Sequence, residues 1–361
     1  MSLKVGIVGA AGYAGAELIR LVLGHPEFEL VAITSNADAG QPLSAVYPSF
    51  AGVSDLVFTT HDAPELKSCN AVFLAVPHTA AMAQVPALLA AGVSCFDLSA
   101  DYRLSDPSVF EAWYAAEHTS PELLKTRAFG LPELFCRDLE TAASSHAAGK
   151  PVLVACAGCY PTATSLAAAP AVRAGWVAEN GPVIVDAISG VTGAGKSCNA
   201  RTHFCSADEN LEAYGVGKHR HTPEIEQILG LTDRVVFTPH LAPLRRGLLS
   251  TVTMPLAPQT LDTLALEDVV DHYKKFYAGR TFVRVLDAGQ QPKTASVVGT
   301  NAARLALRST SVRACWWRRV LSTICARVLR ARRSSAPTSF LALTSDEACP
   351  QWRARCSTFD C

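Results

Sequence analysis

A chain of 361 residues in which 32 Lys and Arg balance 32 Asp and Glu carries no formal net charge, which argues against nucleic acid or an anionic membrane as a main partner. Its length and 49% apolar content suffice for two domains with substantial cores, and no stretch reads as a signal peptide or a membrane span. Five of the twelve cysteines follow residue 310 and the other seven are scattered without repeated metal-ligand pairs, so the expected compartment is the reducing cytoplasm and no metal site is expected.

The first apolar run, Lys4-Val5-Gly6-Ile7-Val8-Gly9, predicts a buried strand. Gly9-Ala10-Ala11-Gly12-Tyr13-Ala14-Gly15 then predicts a tight turn into a helix over residues 16–23. Such a turn lets backbone amides and a helix N-terminus approach a pyrophosphate, so Gly9, Ala11, Gly12, Tyr13, Ala14 and Gly15 are candidate dinucleotide contacts. The spacing is GxxGxxG, which also suits a strand-to-helix turn that binds nothing. A second strand over 28–33 ends in Thr34-Ser35-Asn36. An acid there would bind the ribose 2′-hydroxyl of NAD, so its absence leans towards NADP and makes Ser35 a candidate contact, although Asp38 is close by.

Ala71-Val72-Phe73-Leu74-Ala75-Val76-Pro77-His78 predicts a strand ending in a corner, with Pro77 where the carboxyl end of the strand meets a cofactor. A strand over 93–96 delivers Asp97-Leu98-Ser99-Ala100-Asp101-Tyr102-Arg103, placing Ser99 and Arg103 as anion or substrate contacts, with an Arg103–Asp101 surface pair as the alternative. Pro151–Thr162 reads as strand, glycine turn and helix, with Pro161 in the helix's first turn. A cysteine at that point sits in the positive field of the helix N-terminus, which favours the thiolate, so Cys159 is the candidate nucleophile and Cys156 a packing residue. His219-Arg220-His221-Thr222-Pro223-Glu224 leads into a helix over 225–229. It supplies His219 as acid/base, with His221 and Glu224 as further acid/base or substrate groups.

Together these segments resemble one family, the N-acetyl-γ-glutamyl-phosphate reductases. The resemblance rests on Gly-Ala-Ala-Gly-Tyr-Ala-Gly at 9–15, Val-Pro-His at 76–78, Asp-Leu-Ser-Ala-Asp-Tyr-Arg at 97–103 and Phe-Gly-Leu-Pro-Glu-Leu at 129–134. Further on it rests on Gly-Cys-Tyr-Pro-Thr at 158–162, Ser-Gly-Val-Thr-Gly-Ala-Gly-Lys at 189–196, the His-Arg-His-Thr-Pro-Glu run, and Phe-Thr-Pro-His-Leu-Ala-Pro-Leu-Arg-Arg-Gly at 237–247. It implies a Rossmann-type doubly wound parallel sheet binding NADP(H) over 1–157 and a second α/β catalytic and dimerisation domain over 158–307. It also implies a homo-oligomer (dimer or tetramer), an acyl-phosphate substrate and a role in arginine biosynthesis. The family's cysteine falls on Cys159 and its histidine on His219, while Ser189 and Gly190 fall with the cofactor and Arg246 with the substrate. This chain has Cys156-Ala157 where the family usually has Asn-Pro. The alternatives kept open are an aspartate-semialdehyde dehydrogenase-like reductase and a catalytically impaired cofactor-binding protein.

The second alternative comes from the end of the chain. Residues 308–361 contain ten arginines, no lysine and three of the five tryptophans, with no expected alternation of strand and helix. The family's Asp-Asn-Leu-x-Lys-Gly-Ala-Ala-Gly-Gln-Ala segment is missing as written, yet shifted codons for 320–336 can spell it. That points to a change of reading frame between about 301 and 307, leaving 308–361 as an aberrant tail.

Overall fold

The computed structural model describes residues 2–260, 264–310 and 320–327, the last segment and Thr310 as backbone only. The chain divides into two compact units, one drawn from 1–110 and 116–156 and the other from 111–115 and 157–330.

The first unit is built on a seven-stranded sheet: β1 (Leu3–Val8), β2 (Phe28–Thr34), β3 (Phe58–Thr59), β4 (Ala71–Leu74), β5 (Ser94–Asp97), β6 (Ala128–Gly130) and β7 (Leu153–Cys156). Every pairing is parallel, in the order β3-β2-β1-β4-β5-β7-β6. Parallel neighbours need crossover connections, and the helices α1 (Tyr13–Leu23), α2 (Leu43–Val46), α3 (Val85–Ala90), α4 (Pro107–Tyr114) and α5 (Cys136–Ala147) lie in them. Central strands then have both faces covered, which is why they read as unbroken apolar runs: all four residues of β4 are buried. Val5, Ile7, Leu18, Ile19, Val22, Ile33, Phe73 and Phe96 join one core. The chain runs outward from β1 through β2 to β3, then returns to β4 on β1's other side. That reversal is the topological switch point, where the loops after two neighbouring strands diverge and open a crevice.

The second unit holds α6 (Cys159–Arg173), β8 (Val183–Gly190), α7 (Phe204–Ala207), β9 (Glu212–Ala213), α8 (Thr222–Leu229), β10 (Val235–Ala242), β11 (Leu248–Pro255), α9 (Leu266–Phe276), β12 (Val283–Val285), β13 (Ala303–Thr310) and β14 (Val320–Arg327). Its sheet is mixed, in the order β12-β13-β14-β11-β8-β10-β9. β11 alternates buried and half-buried residues, as a strand with one helix-covered face should. α6 lies on β11 and β14 and packs against α8 and α9, with all twelve residues from Tyr160 to Ala171 buried. Its alanines allow the close approach. Pro170 inside it cannot donate to the Leu166 carbonyl one turn back, and the Tyr277 hydroxyl donates to that carbonyl instead, at 2.6 Å.

The stretch after Leu307 corrects the compositional expectation. β13 continues to Thr310, and β14 is laid antiparallel between β13 and β11 in the middle of the sheet. Local composition hid it because a central strand is specified by its neighbours as much as by its own pattern. Residues 328–361, with most of the proposed aberrant tail and of the shifted motif, lie outside the described residues.

Candidate active site

In the first unit, the three glycines of the turn after β1 have three different duties. Gly9 holds φ +76°, and a Cβ there would sit 2.4 Å from the Ala75 carbonyl oxygen. Gly15 lies against Ala10, whose Cα would be 2.5 Å from an added Cβ. Gly12 has room: only the Gly9 oxygen would come near, at 3.5 Å. One glycine for the turn, one for an open approach and one for helix–strand packing is the division of labour of a dinucleotide-binding turn. Gly12 is also the N-cap of α1, in extended conformation with no side chain capping the helix, so the amides that follow are available to an anion. Ala11 is buried while Tyr13 and Ala14 are exposed at this mouth. A residue that sequence reasoning missed completes the turn: the Tyr47 hydroxyl donates to the Ala11 carbonyl at 2.6 Å.

At the end of β2, the Ser35 hydroxyl donates to Asp38 at 2.6 Å, tying the serine to the nearby acid. Pro77 is exposed after β4. The loop after β5 differs from expectation. Ser99 is buried, donating its hydroxyl to Asp97 at 2.9 Å and accepting the Asp101 amide at 3.1 Å. Asp97 itself is fully buried, and desolvation lifts its carboxyl to about 6 despite the Ser99 hydrogen bonds. Arg103 is 6% exposed and spends its guanidinium on carbonyls, Nε on Cys156 at 2.8 Å and an Nη on Leu98 at 2.6 Å. Both residues brace the loop, and Asp101 holds backbone amides in place of a surface pair with Arg103.

In the second unit, Cys159 is the first residue of α6, and Gly158 is its N-cap with no side chain capping the helix. The Gly158 amide donates to Glu224 Oε1 at 2.8 Å, and Glu224 is 1% exposed in the first turn of α8. A buried carboxylate 66 positions away therefore fixes the residue before the cysteine. His219 lies in an aromatic enclosure, its ring 5.8 Å from Tyr160, 5.4 Å from Tyr214, 5.1 Å from Phe237 and 4.9 Å from His221. Desolvation there, reinforced by the Arg220 charge, lowers the imidazole to about 4, so it is neutral at physiological pH. Its Nδ1 accepts the His221 amide at 3.1 Å, which places the neutral ring's proton on Nε2. Tyr214 donates to the Tyr160 hydroxyl, which donates to the His240 carbonyl, and burial raises both phenols, with a smaller push from Cys159. Tyr160, Tyr214 and His219 thus form one aromatic cluster, with Tyr160 next to Cys159 in the chain, and Glu224 holds the amide before the cysteine. Tyr160 was legible as the residue beside the cysteine; Tyr214 carried no local signal.

Ser189 and Gly190 end β8, where Gly190 and Val191 donate to the Gly247 and Leu244 carbonyls at 2.9 and 2.8 Å. A Cβ on Gly190 would lie 2.6 Å from the Leu244 oxygen, so glycine is required by this close approach. Arg246 is exposed in the same turn. Among the described residues no group of three or more His, Cys, Asp or Glu is placed to hold a metal ion, and no helix is long and apolar enough to cross a membrane.

Residues 4–142 match the family described as semialdehyde dehydrogenase, NAD binding domain, and residues 159–316 the family described as semialdehyde dehydrogenase, dimerisation domain. The chain is 44% identical over 313 residues to the N-acetyl-gamma-glutamyl-phosphate reductase of Symbiobacterium thermophilum, covering 85% of this chain and 86% of that one. It is 44% identical over 309 residues to the protein of the same name from a Janthinobacterium, covering 84% and 86%. Among solved structures, the aspartate semialdehyde dehydrogenase with NADP from Candida albicans is similar with a TM-score of 0.63 at 16% identity, over 90% of this chain and 93% of that one. A probable aspartate-semialdehyde dehydrogenase from Pseudomonas aeruginosa is similar with a TM-score of 0.62 at 18% identity, over 91% and 93%. At such identities these structures show a shared fold.

Proposed function

Since the chain belongs to the N-acetyl-γ-glutamyl-phosphate reductases, NADP-dependent oxidoreductases of arginine biosynthesis, we propose that Cys159 is its nucleophile and His219 its proton donor. The reaction reduces N-acetyl-glutamyl 5-phosphate to the 5-semialdehyde and releases phosphate. What carries the residue assignment is the position of Cys159, first in a helix buried from Tyr160 to Ala171 whose N-terminus no side chain caps.

The partial positive charge of that N-terminus favours the Cys159 thiolate. The thiolate attacks the acyl carbon, the carbon–oxygen bond to phosphate breaks, and a thioester on Cys159 remains. NADPH, when bound, supplies the hydride that reduces this thioester. The carbon–sulfur bond then breaks, freeing the aldehyde and returning the thiolate. His219 serves through Nε2–H, donating to the oxygen on which negative charge develops. It is a poor base for Cys159, because that would need Nδ1 to carry the proton against the His221 amide. Glu224 positions Gly158 and Cys159. Gly9, Ala11, Gly12, Tyr13, Ala14 and Gly15 would hold the dinucleotide: the open Gly12 and the uncapped start of α1 fit an anionic pyrophosphate. Ser35 and Pro77 extend that site, while Ser99 and Arg103 brace it. Ser189 and Gly190 would add to the cofactor site, Arg246 would contact substrate, and His221 stands beside His219. A matched dimerisation domain supports a homo-oligomer, dimer or tetramer, and the biosynthetic role supports the cytoplasm.

The test is phosphate-dependent reduction of NADP by N-acetyl-glutamate semialdehyde, followed by absorbance, with the Cys159→Ser variant beside it. Turnover that disappears in the variant, with NADPH binding retained, supports the assignment. Equal rates in both overturn it.

A further inference from the structure

The corner after β4 forms one wall of the switch-point crevice in the first unit. It is strained. Thr79 holds φ +74°, a left-handed conformation that β-branched residues avoid. Three amides of the corner, those of Thr79, Ala81 and Met82, donate to the Asp101 carboxylate at 2.6, 2.9 and 3.1 Å. Asp101 is fully buried and is itself fixed, its amide on Ser99 Oγ at 3.1 Å and its carbonyl on His118 Nε2 at 2.8 Å. One residue earlier, the Ala100 amide donates to His78 Nδ1 at 3.1 Å, a second tie between the same two loops. The corner also touches the glycine turn directly, since Gly9 has no room for a Cβ beside the Ala75 oxygen.

A buried carboxylate that accepts three amides is a strong brace, because it satisfies its own charge while fixing three backbone positions at once. Backbone held in a sparsely populated conformation persists only where its surroundings over-determine it, and such places gather at ligand clamps. Here the over-determining group comes from the loop after β5, and the strained residue borders the crevice.

We propose that Asp101 is a positioning residue for cofactor binding: its carboxylate clamps the 77–82 corner, left-handed Thr79 included, so that this corner and the 9–12 turn form a preorganised crevice for the nicotinamide dinucleotide. The proposal rests on that crevice being the cofactor site. It assigns Asp101 a role in affinity, through the backbone of other residues, and none in the chemical step.

The experiment measures NADPH Kd by fluorescence titration, with KM and kcat, in the full chain and in Asp101→Asn, Thr79→Gly, the double variant and Gly12→Val. Asparagine turns an NH2 group towards amides that need an acceptor, so the clamp opens. Asp101→Asn is expected to raise Kd and KM for NADPH about fivefold or more with kcat held within about twofold, as lost preorganisation should. Thr79→Gly is expected to restore most of that affinity in the double variant, because glycine takes φ +74° without a clamp. A purely structural role would lower the active fraction, hence apparent kcat, and leave Kd and KM unchanged. Unchanged Kd in Asp101→Asn with a weakened Gly12→Val overturns the clamp and leaves the cofactor site standing; unchanged Kd in both overturns the site and the clamp together. Should Asp101→Asn fail to fold, hydrogen exchange of the wild-type 77–84 segment decides. Slow exchange without NADPH supports the clamp, and fast exchange that slows only on adding NADPH overturns it.

Discussion

α1 and α6 begin in nearly the same way and are put to different use. Each follows a parallel strand, opens on a glycine in extended conformation (φ −80° at Gly12, −64° at Gly158, ψ 168° at both) and lacks a capping side chain. The difference is what stands at the first helical position and what surrounds it. α1 begins with exposed Tyr13 beside an open Gly12, which leaves its first amides open to an anion. α6 begins with Cys159, backed by buried Tyr160 and by the Glu224 carboxylate on the preceding amide. A helix N-terminus is therefore a generic source of positive potential. Neighbouring residues decide whether it cradles a ligand's charge or stabilises one of the protein's own.

The sheets beneath the two helices differ as sharply, and the largest expected effect lies there. Ending the chain at Thr310 removes β14 from between β13 and β11, and soluble, cooperatively folded protein is expected to be lost; circular dichroism and thermal melting of the shortened chain check this. A soluble product with an intact melt would mean that α6 rests on less of its sheet than the pairing shows.

Next come the two helix starts themselves. Glu224→Ala leaves the buried Gly158 amide without its acceptor, a loss of about 1–3 kcal/mol; kcat should fall tenfold or more, by roughly 1.4 kcal/mol per decade, while NADPH Kd stays put. Gly12→Val should do the reverse, weakening NADPH about tenfold or more, again roughly 1.4 kcal/mol per decade, with the fold kept, since an added Cβ meets only the Gly9 oxygen. If either variant moved both quantities equally, the division of labour between the two helices would be wrong.

Smaller effects sharpen the picture. Tyr277→Phe orphans the Leu166 carbonyl beneath Pro170 and should destabilise the protein by about 1–3 kcal/mol in denaturant titrations, leaving NADPH affinity unchanged. The weakest effect concerns His219. Its folded value near 4 lies below the ordinary 6.5, so the unfolded chain takes up the proton first as pH falls. The resulting stability is complete above about 6.5 and is lost as pH drops towards 4, and the His219→Asn variant should show a shallower loss over that window. For the same reason kcat/KM should show no limb from this histidine near 6.5.

Much of the first unit was legible because its signals are local. Unbroken apolar runs marked β1, β4 and β5 with boundaries off by a residue or a few, and the glycine spacing located the start of α1, which begins at Tyr13 rather than at 16. The helix start at Cys159 was legible for the same reason: a glycine, a cysteine and a proline fall within four residues there. The burial and partners of Ser99 and Arg103 were not legible, because strand-end position says where a side chain begins and nothing about its partners, which here include Asp97, the Cys156 carbonyl and the Leu98 carbonyl. β14 was missed because its place is set by β11 and β13, far off in sequence.

The sequence alone thus determined the doubly wound sheet, the glycine turn after β1 and the helix start at Cys159, because each is encoded in side-chain period or spacing over a few adjacent residues. Only the tertiary structure decided that Glu224 fixes the turn before Cys159, that His219 is neutral with its proton on Nε2, and that Asp101 holds a strained corner. Burial, and the partners of Glu224 and Asp101, are properties of the space a residue shares with others distant in the chain, and no local pattern records them.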